Sequence, residues 1–381
     1  MEIRAFPPRG LKTGFEPEGL DTHLPMTPTI STIIISYNTR ATTLQCLRCL
    51  YEDLGDLQAE VWVVDNASTD GSAAAVRFGF PGVHVVENTR NLGFGAANNV
   101  AIQRATGRYL LLLNSDAFLR PGAVSHLMDY LDNHPNVGIV GPRVFNEDGS
   151  LQRSCFRFPS PARAWLEMLG IVTLFPNLPG LGDYRRWDHS TDRQVDSVIG
   201  ACMLVRREAL LSVGGLDERF FMYYEETDWH FRMRDRGWRV AFTPRAEAIH
   251  LGGGGAEGGL ADINPTFFES RDYYYLKHYG WTGLIVMRAA MVVGYGMRAV
   301  VWRLAMLVLP STRPTSSGKE QFCRWLFLRQ AINWAVLKTG TKRWRTGEQP
   351  DGELAGQGCA RGRSVTGRRG VVKSRPVKER E

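Results

Sequence analysis

Cysteine is sparse in this chain of 381 residues, which contains six. A chain of this length with so few cysteines is not a small fold held together by disulfide bonds. Cys46 and Cys49 have the CxxC spacing of half a zinc site or of a redox pair, but no second CxxC or CxxH motif follows them. We therefore interpret them as core thiols on one helix.

The amino terminus lacks the apolar run of a signal peptide. Residues 1–10 contain charged side chains and two prolines, and residues 1–29 show no periodic apolar pattern. We expect residues 1–29 to form a disordered lead-in. Together with the modest use of cysteine, the missing apolar run predicts a reducing, cytoplasmic setting.

A glycine-rich phosphate loop is also missing after the first apolar strand. That position reads Tyr37-Asn38-Thr39-Arg40, which disfavours a P-loop and a dinucleotide-binding site. The later Gly93-Phe94-Gly95 is a lone GxG pair, which we interpret as a loop turn.

Charge is distributed unevenly along the chain, with 46 Lys+Arg against 39 Asp+Glu and a formal net charge of +7. Residues 342–381 hold eleven basic and five acidic residues, so this tail carries +6 and the rest is nearly neutral. An apolar content of 44% can fill a sizeable core. The body is therefore a globular protein, and the tail is expected to be disordered and attracted to an anionic lipid surface or, less favoured, to nucleic acid.

Short apolar runs alternate with amphipathic stretches from residue 30 onward, which predicts an α/β fold with a doubly wound, mostly parallel sheet and helices on both faces. The predicted strands are Thr32–Ser36, Val61–Val64, Val83–Val86 and Tyr109–Leu113, and the helices are Ala41–Leu54, Asp70–Phe78 (capped by Ser68 or Thr69) and Ala96–Ala105. A second set comprises helices Gly122–Leu131, Arg207–Val213 and Glu226–Arg236, strands Cys202–Val205 and Val240–Phe242, and a short strand near Gly138–Val140. The glycine run Gly252–Gly259 is expected to be a mobile loop.

Residues 284–309 form a long apolar stretch that includes Arg288, Arg298 and Arg303. Each arginine would cost about 2.5 to 3.5 kcal/mol at the centre of a bilayer. On a helix the three fall within about 140° of one another. This pattern favours an amphipathic helix lying in the membrane surface, with a packed helical pair and a spanning helix as alternatives.

Carboxylates follow two of the predicted strands directly. Asp65 follows Val61–Val64, and Asp116 follows Tyr109–Leu113. Because the carboxyl ends of parallel strands meet at one edge, both acids are expected to face a common ligand site there. Each alone could instead be a helix cap or a turn residue.

A third acidic group lies in the segment from Tyr223 to Trp229. Glu225 and Glu226 adjoin aromatic residues that could desolvate them and raise their pKa, as a general base requires. Asp228 precedes Arg232 by four residues, so we predict a surface ion pair. His250 directly precedes the glycine run, where it is either structural or a ligand.

Five segments in this order resemble the motifs of family 2 glycosyltransferases with the GT-A fold, and the rhamnosyltransferase-like branch is the most similar. They cover roughly residues 31–279 and read Ile34-Ile35-Ser36-Tyr37-Asn38, Val64-Asp65-Asn66-Ala67-Ser68-Thr69-Asp70-Gly71, Asn91-Leu92-Gly93-Phe94, Leu113-Asn114-Ser115-Asp116 and Phe221-Met222-Tyr223-Tyr224-Glu225-Glu226-Thr227-Asp228. No single segment is decisive, but five in sequence are a specific match.

The resemblance implies roles for individual residues. Asp116 would bind a divalent cation, Mg²⁺ or Mn²⁺, on the diphosphate of a nucleotide sugar, with His250 as a further metal ligand. Glu226 would be the general base, with Glu225 as the alternative, in a single displacement that inverts the anomeric configuration. The residues implied in donor binding are Tyr37, Asn38, Asp65, Asn91, Asn114 and Ser115.

Two positions depart from the family pattern. Asn114 is an amide where the wider family has the first carboxylate of an acidic pair, which predicts weaker metal binding or reliance on the diphosphate. Glu226 stands where Asp is frequent and reaches one methylene further, which leaves the identity of the base open between Glu226 and Glu225.

The sequence therefore predicts an inverting transferase that moves a sugar from a nucleotide diphosphate donor, such as dTDP-rhamnose, to a glycan or polyprenyl-linked acceptor of the cell envelope, at the inner face of the membrane. A nucleotidyltransferase and a non-catalytic sugar-nucleotide binding module remain alternatives. The predicted domains are a transferase domain over residues 30–280, with a nucleotide-binding half (30–120) and an acceptor half (121–280), an amphipathic helical region (281–340) and a basic disordered tail (341–381).

Overall fold

The computed structural model describes residues 28–175, 184, 187–252, 265–308 and 313–332. The predicted lead-in before residue 28, the glycine run after Gly252 and the basic tail lie outside the described residues.

Strands dominate the centre of the molecule, and in the described part of the chain ten of them form one sheet. The strands are β1 (Ile30–Ser36), β2 (Ala59–Asp65), β3 (His84–Glu87), β4 (Tyr109–Asn114), β5 (Ala117–Leu119), β6 (Val137–Phe145), β7 (Leu151–Gln152), β8 (Cys155–Phe156), β9 (Arg193–Val195), β10 (Ser197–Val198), β11 (Cys202–Arg206) and β12 (Arg239–His250). The main order is β3-β2-β1-β4-β11-β6-β12-β5, while β8 and β10 pair separately.

The pairing is parallel in the first half of the sheet and mixed in the second. Strands β3, β2, β1 and β4 are parallel neighbours. Strand β11 is antiparallel to both β4 and β6, and β12 is parallel to β6. The carboxyl ends of β1, β2 and β4 therefore meet at one edge of the sheet.

Helices cover both faces of this sheet, which confirms the predicted doubly wound α/β fold. They are α1 (Arg40–Leu54), α2 (Ser72–Gly79), α3 (Phe94–Ile102), α4 (Ala123–Asn133), α5 (Pro161–Met168), α6 (Ile171–Leu174), α7 (Arg207–Val213), α8 (Glu225–Asp235), α9 (Pro265–Val308) and α10 (Arg313–Ile332). One apolar core joins α1 and α4 to the sheet, and a second joins α3, α7 and α8 to its other face. Cys46 and Cys49 both lie on α1, as predicted for core thiols, with Cys46 buried and Cys49 partly buried.

One local prediction was wrong, and one predicted strand is longer than expected. Helix α2 starts at Ser72 after a left-handed Gly71 (φ 76°), so neither Ser68 nor Thr69 caps it. Asp70 instead accepts a hydrogen bond from the Ser72 backbone N–H at 3.0 Å, because its short carboxylate reaches the free N–H groups of the first turn. The strand expected near Gly138–Val140 runs over all of β6, since pairing with β11 and β12 extends it.

Helix α9 bends at Gly280, whose φ of 64° and ψ of −168° are not helical. Beyond the bend it packs against α10 and α5, the helical pair that was one alternative for this stretch. Arg288 is buried against Asp272, and Arg298 donates to the Glu167 carbonyl oxygen at 3.0 Å. These two arginines therefore face the protein, whereas a helix lying in the membrane surface would turn them towards water.

Candidate functional site

The sheet edge formed by β1, β2 and β4 brings the predicted donor-binding residues together. In the parallel register Ser36 lies opposite Asp65, and Ile35 lies opposite Asn114. Half-buried Tyr37 and exposed Asn38 follow β1 at the same edge. Asp65 ends β2 and Asp116 follows β4, on either side of β1, so both lie at this edge, as parallel pairing predicts.

The loops after β1 and β2 are tied to each other. The Thr69 backbone N–H donates to Asn38 Oδ1 at 2.8 Å, and the Asn38 backbone N–H donates to Ser68 Oγ at 2.9 Å. Asn38 adopts φ 54°, a left-handed conformation that asparagine tolerates well. This double connection fixes both loops over the sheet edge.

The two carboxylate oxygens of Asp65 have different surroundings. Its Oδ1 accepts from the Ser68 backbone N–H at 2.7 Å, which is the turn role considered above. Within the described residues, its buried Oδ2 has no hydrogen-bond partner. A buried carboxylate oxygen needs a donor, so the turn explains only half of this side chain and leaves one oxygen for a ligand.

Asn66 was not singled out from the sequence, yet it organises the next loop. It accepts from the Leu92 backbone N–H at 2.9 Å and donates to Asn91 Oδ1 at 2.7 Å. Asn91 Oδ1 also accepts from the Gly93 backbone N–H at 2.9 Å. Asn66 and Asn91 therefore hold this loop in place, through contacts that no local sequence pattern indicates.

Gly93 is at a position that only glycine can occupy. Its φ is 82°, and a Cβ there would lie 2.1 Å from the carbonyl oxygen of Phe221. The Phe94 backbone N–H donates to that same oxygen at 2.8 Å. The GxG pair is thus more than a loop turn: it allows α3 to contact the segment that precedes α8.

Ser115 lies inside a chain of hydroxyl groups. Its Oγ is 3.0 Å from Thr39 Oγ1, which in turn lies 3.1 Å from Ser36 Oγ and from Thr43 Oγ1. Ser115 is 7% exposed. This network links the end of β4 to the start of α1 and positions the residues on either side of Ser115.

Asp116 and His250 come together although 134 positions separate them along the chain. Strand β12 pairs with β5 so that His250 lies opposite Ala117. As a result His250 Nε2 is 3.4 Å from Asp116 Oδ1 and 3.4 Å from Asn114 Nδ2. Burial opposes ionisation of Asp116, but hydrogen bonds to the carboxylate, including those from nearby backbone N–H groups, outweigh it and lower the pKa of this carboxyl.

This pair fits a divalent cation in its chemistry. A carboxylate oxygen and an imidazole nitrogen are both ligands of Mn²⁺, and oxygen ligands suit Mg²⁺. No group of three or more His, Cys, Asp or Glu side chains in the described part of the chain could hold a metal ion. Asp116 and His250 are thus a pair of side chains and not a complete set of ligands for such a cation.

Glu225 and Glu226 begin α8 after two strained residues. Tyr223 and Tyr224 have φ values of 70° and 68°, which are unfavourable for side chains of this size. Within the described residues, both glutamates have a buried Oε2 without a hydrogen-bond partner. Burial raises the pKa of both, and the charge of Glu226 raises that of Glu225 further. That the adjoining aromatic side chains cause this desolvation stays a prediction.

The two glutamates face different neighbours. A side chain at Gly95 would lie 3.6 Å from Glu225 Cβ, so Glu225 is packed beneath α3 and is 4% exposed. A side chain at Gly200 would lie 3.8 Å from Glu226 Cβ. The next residue, Ala201, accepts from the Asn114 backbone N–H at 2.8 Å, which connects the Glu226 side to the end of β4.

The predicted surface ion pair of Asp228 and Arg232 is a buried one. The two side chains meet at 2.8 Å, but Asp228 is fully buried. Asp228 Oδ1 also lies 2.8 Å from His278 Nε2 and 2.5 Å from Lys277 Nζ, both on α9. The spacing of four residues indicated the pair correctly, whereas its burial depends on α9, which sequence spacing does not reveal.

Residues 31–214 match the sequence family described as glycosyl transferase family 2. An N-acetylglucosaminyl-diphospho-decaprenol L-rhamnosyltransferase of Mycobacterium tuberculosis is 32% identical over 202 residues, which cover 50% of this chain and 66% of that relative, just under two thirds of its length. A dTDP-rhamnosyl transferase, RfbF, of Shigella flexneri is 26% identical over 66% of this chain and 79% of its own. Among solved structures, a mannosyltransferase of Pyrobaculum calidifontis in complex with GDP-Man and Mn²⁺ aligns over 81% of this chain and 89% of its own, with 18% identity and a TM-score of 0.47.

Proposed function

The chain belongs to glycosyl transferase family 2 through residues 31–214, and from this premise we propose that it transfers a sugar from a nucleotide diphosphate donor to an acceptor hydroxyl, with inversion at the anomeric carbon. The observation that carries the proposal is the arrangement at one sheet edge. A carboxylate and an imidazole lie 3.4 Å apart there. Buried Glu225 and half-buried Glu226, both with raised pKa, begin α8 nearby, and Ala201 connects the Glu226 side to the end of β4.

Glu226 is the proposed general base. Its carboxylate takes the proton of the acceptor hydroxyl as the acceptor oxygen forms a bond to the anomeric carbon, and the bond from that carbon to the diphosphate oxygen breaks. A raised pKa makes Glu226 a stronger proton acceptor once it is ionised. Glu225 is less accessible beneath α3, and burial together with the charge of Glu226 raises its own pKa further.

The donor end of the site would hold the nucleotide diphosphate. Asp65 Oδ2, Tyr37 and Asn38 line the edge where the base and ribose would lie, and Asn114 with Ser115 leads to Asp116. Asp116 and His250 would hold Mg²⁺ or Mn²⁺, which when bound neutralises the charge of the departing diphosphate. The orphaned Asp65 oxygen and the tied loops support a preformed donor pocket.

The donor sugar and acceptor are proposed from the relatives. Because the M. tuberculosis protein is named for transfer of L-rhamnose to a diphospho-decaprenol acceptor and RfbF for dTDP-rhamnose, we propose dTDP-rhamnose as donor. The proposed acceptor is a polyprenyl-linked glycan of the cell envelope.

A test of the base compares Glu226→Gln with Glu225→Gln and with Glu208→Gln, an exposed glutamate of α7. Glu226→Gln should bind the donor normally but lose transfer by at least about 100-fold, because one general base contributes that much. Glu208→Gln should match the wild type. If Glu225→Gln alone is inactive, Glu225 is the base.

The reaction class is tested by identifying the substrates that the protein converts. The wild type should release nucleoside diphosphate from dTDP-rhamnose in the presence of a polyprenyl-linked acceptor and Mn²⁺. Formation of a nucleotide sugar from a nucleoside triphosphate and a sugar phosphate would establish the nucleotidyltransferase alternative instead. Binding of the nucleotide sugar without turnover of either kind would favour a non-catalytic module.

We further propose that the end of α9 docks the protein on the inner face of the cell membrane, in the cytoplasm. In the described part of the chain one helix, Thr266–Val308, is long and apolar enough to cross a membrane, and only a third of its most apolar stretch is buried. Exposed apolar residues follow one side of this helix, with fractions that rise to 70% at Leu307 and 75% at Val308. They are Trp281, Ile285, Val293, Met297, Val300, Val301, Leu304, Leu307 and Val308. From Ile285 onward they fall within about 160° of one another, and with Trp281 within about 200°.

Two observations favour docking over spanning. Arg288 is buried against Asp272, and Arg298 is held by α5, so the opposite side of the helix is part of the folded protein. A helix whose one face packs against protein and whose other face is apolar is suited to shallow insertion into a lipid surface. A lipid-linked acceptor would meet the enzyme at that surface.

A further inference from the structure

Gln152 is a buried residue that none of the sequence motifs includes, and it contacts the proposed metal ligand His250. It lies on the short strand β7, which pairs with β6 so that Gln152 is opposite Val144. Its side chain is 7% exposed. Gln152 Oε1 is 2.8 Å from His250 Nδ1, and Gln152 Nε2 is 3.2 Å from the His250 carbonyl oxygen.

The orientation of the Gln152 amide follows from its acceptors. A backbone carbonyl oxygen can only accept, so the atom of Gln152 that faces the His250 carbonyl oxygen must be the NH₂ group. The same NH₂ group donates to Asn146 Oδ1 at 2.8 Å. The remaining amide atom, Oε1, therefore faces His250 Nδ1 and must accept a hydrogen from it.

The tautomer of His250 follows from this bond. A neutral imidazole carries one hydrogen, and if that hydrogen is on Nδ1, then Nε2 has a lone pair. Nε2 points towards Asp116 Oδ1, 3.4 Å away. Without a cation, a lone pair that faces a carboxylate at this distance is unfavourable, and the shorter hydrogen bond of 2.8 Å from Nδ1 to Gln152 Oε1 offsets that cost. Nε2 is thereby held in the orientation that a metal site requires.

The turn before β7 orients Asn146 so that its side chain accepts a hydrogen bond from Gln152. Asn146 donates from Nδ2 to Ser150 Oγ at 2.9 Å, and its backbone N–H donates to the Ser150 carbonyl oxygen at 2.8 Å. Asp148 accepts from the Ser150 backbone N–H at 2.9 Å. These bonds leave Asn146 Oδ1 directed at the Gln152 amide.

We propose that Gln152 is a positioning residue that keeps His250 in the Nδ1–H tautomer and so directs the Nε2 lone pair towards Asp116 for a divalent cation. The consequence for metal affinity rests on the proposed function, whereas the tautomer does not. Gln152 touches neither the donor nor the acceptor in this proposal and acts only through His250.

The tautomer is measured by ¹⁵N NMR of the full chain labelled at histidine, without metal, with the His250 signals assigned by their loss in His250→Ala. The wild type should carry its hydrogen on Nδ1. Gln152→Leu, which has a similar volume but no acceptor, should shift the population towards Nε2–H. Gln152→Glu keeps an acceptor for Nδ1 but loses the NH₂ group that donates to the His250 carbonyl oxygen and to Asn146, so it should restore the Nδ1–H form only in part. Gln152→Asn is one methylene too short and is the second disruptive variant if Gln152→Leu does not fold.

Metal affinity is measured with Mn²⁺ alone, from the electron paramagnetic resonance of the free ion. Gln152→Leu should weaken Mn²⁺ binding by about 10- to 100-fold, as the loss of such outer partners does in known metal sites. The control Gln330→Leu removes another buried glutamine, which accepts from Arg271 on the far helices, and should leave binding unchanged.

Two results would overturn the inference: an Nε2–H tautomer in the wild type, or the same tautomer in wild type and Gln152→Leu. A wild type that binds no Mn²⁺, although Gln152→Leu changes the tautomer, would overturn the metal assignment of Asp116 and His250 and leave the positioning role of Gln152 established. The two failures are therefore distinguishable.

Discussion

Single residues at this site were predictable where their position in a strand fixed them. Asp65 and Asp116 follow apolar strands, and parallel pairing alone places both at one edge. Gln152 and Asn66 were not predictable in this way. Their roles depend on side-chain contacts over 98 and 26 positions of sequence, which no local pattern encodes.

Glu225 should make stability depend on pH. Its pKa is raised by burial and by the charge of Glu226, so the folded protein retains a proton that the unfolded chain releases above its ordinary value of about 4.5. The free energy of unfolding should therefore fall as pH rises from about 4.5 to the raised pKa. Glu225→Gln should lack this fall and gain stability relative to the wild type over the same range.

The measurement is urea unfolding of both proteins at a series of pH values. The two should be similarly stable near pH 4, where the wild-type carboxyl is protonated in both states. A stability difference that stays constant from pH 4 to pH 8 would contradict the raised pKa.

Gly93→Ala should destabilise the protein by about 3 kcal/mol or more. The added methyl group would overlap the Phe221 backbone, and alanine would also be strained at the positive φ of residue 93. Gly237→Ala is the matched control. Its φ is 85°, but nothing lies within 4 Å of the added atom, so the cost should be only the strain of about 1 to 2 kcal/mol. Urea unfolding gives both values, and equal costs would show that the Phe221 segment moves aside freely.

Among the structural elements, helix α8 shows what sequence periodicity can and cannot predict. The predicted helix was Glu226–Arg236 and the observed helix is Glu225–Asp235, so each end differs by one residue. The expected surface ion pair on it was wrong, because α9 covers Asp228. Periodicity identifies which residues share a face of a helix, while the partner of that face depends on the packing of distant elements.

Asp228→Asn should cost about 3 kcal/mol of stability, since it leaves Arg232 and Lys277 without the buried carboxylate that both contact. Asp235→Asn on the same helix is the control. Its ion pair with Arg234 is half exposed, with side-chain fractions of 50% and 52%, and should contribute less than about 0.5 kcal/mol. Thermal unfolding measures both changes, and equal small effects would indicate that the Asp228 cluster does not join α8 to α9.

At the scale of the whole molecule, the alternation of strands and helices predicted the layers but not the complete sheet. Strand β12 was expected only at Val240–Phe242, whereas it runs for twelve residues and carries His250 at its end. It pairs with β6, β5 and β9, which come from widely separated parts of the chain. Pairing between distant parts of the chain depends on the assembled core. A local sequence pattern therefore underestimates the length of a strand such as β12.

Replacing Val300, Val301, Leu304 and Leu307 by serine should reduce binding to vesicles that contain anionic lipid by at least about tenfold, because these exposed side chains supply the apolar surface proposed to insert. Turnover of a soluble acceptor should persist. The control replaces Phe78 and Leu211, which are 91% and 74% exposed elsewhere on the protein, and should leave sedimentation with vesicles unchanged. Equal binding by both variants would contradict the proposed docking surface.

The bend at Gly280 divides α9 into a part that carries Lys277 and His278 against α8 and a straight part that ends at Val308. At a rise of about 1.5 Å per residue, the straight part is about 42 Å long. If the apolar side of this segment rests in a bilayer, the contacts of Lys277 and His278 with α8 fix the distance between Glu226 and the lipid. The enzyme would then select acceptors by how far their reactive hydroxyl stands from the membrane, a selection by length rather than by chemical identity.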